Sequence, residues 1–138
     1  MSLLLFLSLA PGPRAQPVDL PGTWTCTVES RSDDPKENYG LELEMRIGAD
    51  GSLTAKGKRI IPGGLRPADN FSGAGRWVTR AAAGDTPELV EFSVWTVTLG
   101  PIVWVAAPVE GGHMYHFLTR DSAEGQTVHI ETQCGHHS

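Results

Sequence analysis

Leu41-Glu42-Leu43-Glu44-Met45-Arg46-Ile47 alternates apolar and charged side chains without a break, turns at Ala49-Asp50-Gly51, and returns as Leu53-Thr54-Ala55-Lys56-Gly57-Lys58. Successive side chains of a strand point to opposite faces, so period-two alternation describes a strand with one buried and one wet face. A glycine after Asp50 supplies the positive φ that a tight hairpin needs. This stretch therefore predicts two antiparallel strands. Glu42 and Glu44 fall together on the outer face, where a solvated carboxylate pair needs no catalytic explanation.

The same grammar extends in both directions. Upstream, Trp24, Cys26 and Val28 alternate with Thr23, Thr25 and Thr27, and a polar loop follows over residues 30–38. Downstream, a loop after Ile60-Ile61-Pro62-Gly63-Gly64 runs to about residue 70, and a fourth strand centred on Trp77 covers residues 71–80. Gly84-Asp85-Thr86-Pro87 turns the chain into a fifth strand at 89–99, and Gly100-Pro101 breaks it. A sixth strand at 102–106 is apolar on both faces, and Pro108 with Gly111-Gly112 leads to a seventh at 113–120. The last strand carries Val128, Ile130, Thr132 and Cys134 on one face. Eight strands with short connections and no helical period predict an antiparallel meander. Eight is enough to close a cylinder that holds side chains or one small ligand. The expected fold is all-β, a single antiparallel up-and-down eight-stranded barrel.

Cys26 and Cys134 are the only cysteines of the 138 residues, and both fall on the predicted inner face of the first and last strands. Closure makes those strands neighbours, so a Cys26–Cys134 disulfide would staple the seam. Such a bond suits an exported chain. Residues 1–15 read as an export signal: Leu3-Leu4-Leu5-Phe6-Leu7-Ser8-Leu9 is too short to span a bilayer, and Ala10 and Ala15 offer cleavage positions. No Lys or Arg precedes the apolar run. The expectation is a secreted or periplasmic protein whose barrel domain occupies residues 16–138, with no membrane-spanning helix. The formal net charge is −5, and removing the leader takes away Arg14 but no acidic residue. No basic stripe is present, so nucleic acid is not an expected partner.

Gly22-Thr23-Trp24 at the entry to the first strand resembles the Gly-x-Trp opening of calycins, the superfamily of lipocalins, fatty-acid-binding proteins and avidins. Gly48-Ala49-Asp50-Gly51-Ser52-Leu53-Thr54 and Phe92-Ser93-Val94-Trp95 look like avidin-type hairpin and strand segments. The resemblance implies a barrel with a Trp across its closed end and a pocket at the other. It does not carry biotin binding over. Ser30 matches a ligand-binding serine, but the avidin Asn position holds Cys26, and the Tyr and Ser expected after the hairpin fall on Gly57 and Arg59.

Chemical motifs are sparse. There is no Gly-x-Ser-x-Gly, no His-Glu-x-x-His and no glycine-rich phosphate loop. His113 and His116 differ by an odd number and point to opposite faces of a strand, while His136 and His137 lie beside the terminus. Neither a metal nor a cofactor is expected. Asn70-Phe71-Ser72 fits a glycosylation acceptor. The aromatic residues offer more: inward positions for Trp24, Trp95 and Trp104, with Met114, His116 and Leu118 opposite, would give a small-molecule pocket or simply a filled interior.

The leading expectation is a secreted barrel that binds a small apolar or aromatic molecule through Trp24, Trp95, Trp104, Met114 and His116. An alternative is a protein-binding barrel, such as a hydrolase inhibitor, with a filled interior and a protruding loop at 30–38 or 62–70. Another is a barrel cyclase or isomerase with His116 as its acid, although little in the sequence argues for an enzyme. Outward Tyr115 and Phe117, together with the apolar strand at 102–106, would mark a partner or oligomer surface.

Overall fold

The computed structural model describes residues 20–61 and 69–137; the expected leader at 1–15 and most of the loop at 62–70 lie outside them. Eight strands form one closed barrel in sequence order: β1 Gly22–Ser32, β2 Tyr39–Ile47, β3 Ser52–Ile60, β4 Asp69–Arg80, β5 Leu89–Thr96, β6 Gly100–Val109, β7 His113–Asp121 and β8 Thr127–His136. A single 3-10 turn, Pro35–Glu37, is the only helical element among the described residues. The antiparallel up-and-down barrel expected from the alternation is the observed fold.

The deciding hairpin behaves as its residues require. Gly51 takes φ 92° in the turn, and the Asp50 carboxylate accepts from the Ser52 amide at 3.0 Å. Leu41, Leu43, Met45, Ile47, Leu53 and Ala55 are all buried. On the outer face Glu42 stands across from Lys58 and Glu44 across from Lys56, with ion pairs of 3.7 and 3.8 Å. Such exposed pairs stabilise by at most about 1 kcal/mol each. They keep the face wet, each carboxylate set against a lysine.

Coiling of β3 and β4 depends on glycine. A Cβ on Gly57 would sit 2.0 Å from the Glu42 carbonyl oxygen, and one on Gly75 would sit 1.8 Å from that of Ser93. Both glycines occupy inward positions where the neighbouring backbone passes underneath, the device by which a sheet curls tightly enough to close.

The lower half of the barrel is solid. Trp24 is fully buried across this end, donates its indole N–H to the Leu20 carbonyl at 2.8 Å, and meets the edge of the His136 ring at 4.7 Å. Trp77 donates to the Gly48 carbonyl at 2.8 Å and so ties β4 to the first hairpin. Phe92 stacks on Trp104 with ring centroids 5.5 Å apart. Met45, Leu53, Val90 and Met114 fill the remaining space.

Two boundaries differ from the expected ones. The fifth strand ends at Thr96 rather than 99, because Thr96 turns its hydroxyl to the Leu99 amide and the Gly100 carbonyl and closes a tight loop. Pro101 and Pro108, expected to break the chain, lie inside β6. Proline is tolerated where the ladder is incomplete, and β6 is such a strand.

Closure is as expected at the first seam. β1 pairs with β8 from Trp24↔His136 to Ser32↔Val128, and Cys26 stands directly opposite Cys134. The two form a disulfide spanning 108 residues of sequence. In the chain-entropy account a loop of this length is worth about 4–5 kcal/mol. Replacing both cysteines with serine should lower the unfolding free energy by about that amount in urea titration, with far-ultraviolet dichroism unchanged at zero denaturant.

Candidate functional site

Two strands round the barrel from the disulfide seam, between β6 and β7, the ladder comes apart. β6 pairs with β7 only through Ala107↔Tyr115, Pro108↔Met114 and Val109↔His113. Above those pairs, β6 hydrogen-bonds along β5 from Val90↔Ala106 to Thr96↔Gly100, and β7 runs along β8 to Asp121↔Thr127. Among the described residues, no ladder pair joins the upper parts of β6 and β7.

A cavity of about 450 Å³ lies at this opening, within the range of small-molecule pockets. Its inner wall is apolar: Val28, Leu41, Leu99, Ile102, Leu118 and Ile130, with the Trp104 ring system at its base. Tyr39, Arg59, His116 and Thr132 interrupt the wall with polar atoms. Val103 and Val105 also border it, although their alternation places them on the outer side of β6. The cavity therefore reaches the unpaired edge of that strand and opens sideways as well as upward. A larger hollow of about 790 Å³ lies over the upper ends of β1 and β2. It is bordered by outward Thr27, Glu29 and Arg31 as well as Val28, Ser30, Tyr39, Leu41 and Ile60, and shares Val28, Tyr39 and Leu41 with the smaller cavity.

The rim is held by charge. Arg59 reaches Asp69 at 2.7 Å. The segment between β1 and β2 folds back over the mouth: Lys36 meets Glu124 and Arg120 meets Glu37, both at 2.9 Å. Ser30 donates its hydroxyl to the Glu37 carbonyl. This segment is tied down, unlike the protruding loop expected of an inhibitor.

The expected site residues separate into three groups. Trp104 and His116 line the cavity. Trp24 and Met114 are inward but belong to the packed lower half. Trp95 is a correction: it is 63% exposed on the outer face, because Phe92, Val94 and Thr96 take the inward positions of β5. Tyr39, Arg59, Ile130 and Thr132 were not assigned to the site from sequence. Arg59 was legible, since it continues the inward series Leu53, Ala55 and Gly57 along β3.

Tyr115 and Phe117 point outward. Tyr115 donates its hydroxyl to Glu131 at 2.8 Å, and Phe117 stacks on His129 at 5.9 Å. With Trp95 and Val103 they form an exposed apolar stripe on both sides of the open seam. The histidines are dispersed: His136 approaches the Pro21 carbonyl, His137 the Thr25 hydroxyl, and His129 the Thr119 hydroxyl. Among the described residues no three His, Cys, Asp or Glu side chains converge as a metal site would need.

No family model and no curated protein matches the sequence. Among solved structures the chain is similar to a redesigned β-barrel, with 17% identity over 83% of this chain and 90% of that one and a TM-score of 0.44.

Burial sets the electrostatics of the cavity. It pushes the His116 imidazole below the ordinary histidine value and the Tyr39 phenol above its own, so both groups are uncharged at neutral pH. An unfolded chain takes up the His116 proton more readily than the folded one. Stability is therefore retained above the ordinary value of about 6.5 and lost as pH falls below it. His116→Gln should remove that component. Melting temperatures of the two proteins, measured between about pH 7 and pH 5, should show a smaller fall for the variant.

Proposed function

We propose that this protein is an exported barrel that binds a small apolar molecule in its upper half. The observation that carries this reading is the apolar cavity between the packed base and the rim, with a side opening along β6. A barrel whose only task was to present a loop would gain stability from filling that space, since buried voids are destabilising. The Gly22-Thr23-Trp24 opening and the Trp24 plug are consistent with a calycin-like arrangement. The disulfide favours an oxidising compartment, in keeping with the export signal read at residues 1–15. No reaction is proposed. Burial lowers the pKa of the His116 imidazole, and among the described residues no carboxylate lines the cavity wall to pair with it.

The test is titration with an apolar fluorescent probe such as N-phenylnaphthylamine. Uptake of one probe per barrel is expected, with at least about a tenfold loss of affinity in Leu118→Trp, whose indole would occupy the cavity. Unchanged affinity in a folded Leu118→Trp would move binding elsewhere.

A second reading rests on the stripe of Trp95, Val103, Tyr115 and Phe117. Exposed apolar patches of this kind mark contact surfaces, here for a second copy or another protein. Sedimentation should show self-association of the wild type that disappears in Trp95→Ser/Phe117→Ser. A wild type that stays monomeric at all concentrations would remove self-association as the role of the stripe.

A further inference from the structure

One edge of β6 has no ladder partner above Ala107, and a proline shows which of its backbone groups lie there. Pro101 stands opposite Trp95 within the β5–β6 ladder. Proline has no N–H to give, so a ladder accommodates it where the backbone groups turn away from the paired neighbour. In an antiparallel strand those groups turn to alternate sides at successive residues. Val103 and Val105 share the parity of Pro101 and so direct their N–H and C=O groups away from β5, toward the opening. Ala107, the next of this series, is where pairing with β7 begins. Val103 and Val105 also border the cavity, which their backbone reaches while their side chains lie on the outer side of β6.

This edge carries no guard. Exposed strand edges are protected from pairing by charged side chains or proline, yet β6 has no charged residue from Gly100 to Val109, and Ile102 to Ala106 are all apolar. Behind the edge the cavity wall is apolar, with Ile102, Leu118, Ile130 and Trp104. A free row of donors and acceptors in front of an apolar hollow is the combination that receives an extended peptide: its main chain pairs with the edge and alternate side chains enter the pocket. A second barrel fits the opening less well. Its β6 would bring its own β5 alongside, and β7 already bounds the far side. A lone segment brings no such neighbour.

We infer that the ligand of this cavity is a short extended peptide with apolar side chains at alternate positions, paired antiparallel to β6 through the N–H and C=O groups of Val103 and Val105. This rests on the binding reading above and narrows its small apolar molecule to a peptide. Residues that exchange hydrogen bonds across an antiparallel pair share a face of the sheet. Val103 and Val105 face outward, so the peptide residues opposite them face outward too. The residues between them place their side chains in the cavity.

The experiment uses acetyl-Thr-Leu-Thr-Leu-Thr-amide, whose leucines take the inward positions, and the same peptide N-methylated at its central threonine. The methylated peptide keeps every side chain and loses one edge-facing N–H. The unmethylated peptide should bind once per barrel and slow the hydrogen exchange of the Val103 and Val105 amides. Methylation should weaken it at least about tenfold, through one lost hydrogen bond and a methyl group set between the strands. Val103→Pro, which by the parity of Pro101 leaves the β5 ladder complete, should weaken the unmethylated peptide by a similar factor. Equal affinity of the two peptides, with both amides exchanging as fast as in the free protein, overturns the inference. So does the absence of peptide binding in a sample that still takes up N-phenylnaphthylamine, and the binding reading then stands. Failure of that probe and both peptides overturns both. Protection of the two amides that rises with protein concentration in the absence of peptide overturns the inference in favour of a second copy at the edge. Should Val103→Pro fail to fold, the two peptides on the wild type decide: weaker binding after methylation supports the inference, and equal binding overturns it.

Discussion

Everything in this molecule depends on the union of its first and last strands. β1 is paired along its whole useful length on both sides, with β2 from Gly22↔Ile47 and with β8 down to Trp24↔His136. That double pairing turns an open meander, with two exposed edges, into a cylinder. The Cys26–Cys134 bond sits within this seam on the inner face, so the covalent link and the hydrogen-bonded ladder hold the same two strands. Without this seam the inward residues of β1 and β8 would face water.

The seam between β6 and β7 is built the other way. Its ladder is confined to the β6–β7 turn region, and above it the two strands belong to different neighbours. Unpaired backbone on a strand edge is tolerable where water reaches it, and a cavity open to the side allows that. The contents of the barrel follow the same division. Below, Trp24, Phe92, Met45 and Met114 fill the space completely. Above, shorter side chains such as Val28, Leu41, Ile102 and Thr132 line a wall without meeting across it. A void of this kind costs dispersion contacts, and the stapled β1–β8 seam nearby offsets that cost.

Much of the fold was legible because alternation is a local property. The stretch from Leu41 to Lys58 specified two strands and their turn by itself, and the inward placement of Cys26 and Cys134 specified which strands must meet. The site was less legible, because it depends on how strands are staggered around a cylinder. Which inward residues share a layer cannot be read from one strand. An inward Trp95 suits an aromatic wall, but the parity of Phe92, Val94 and Thr96 assigns them β5's inner face and turns Trp95 outward. Arg59 went unassigned for the opposite reason: a charged residue at the end of a strand reads as solvent-facing, although its parity with Leu53 and Ala55 turned it inward. The opening between β6 and β7 left one local trace, Pro101 of β6, a residue that a fully paired central strand would not carry.

The tryptophans show how one residue type takes three roles in a single small barrel. Each has the same large apolar surface, so burial alone does not distinguish a plug from a pocket wall. The indole N–H does. Trp24 and Trp77 end their donors on carbonyls of chain segments they hold in place, Leu20 and Gly48, which makes each a fastener as well as a filler. Trp95, with its ring in water, needs no partner. Trp104 has the packing of a core residue, stacked on Phe92, and the hydrogen-bonding inventory of an unfinished one. Packing and polar satisfaction agree at the closed end of the barrel and disagree at the open end, and a functional site is where such disagreement is expected.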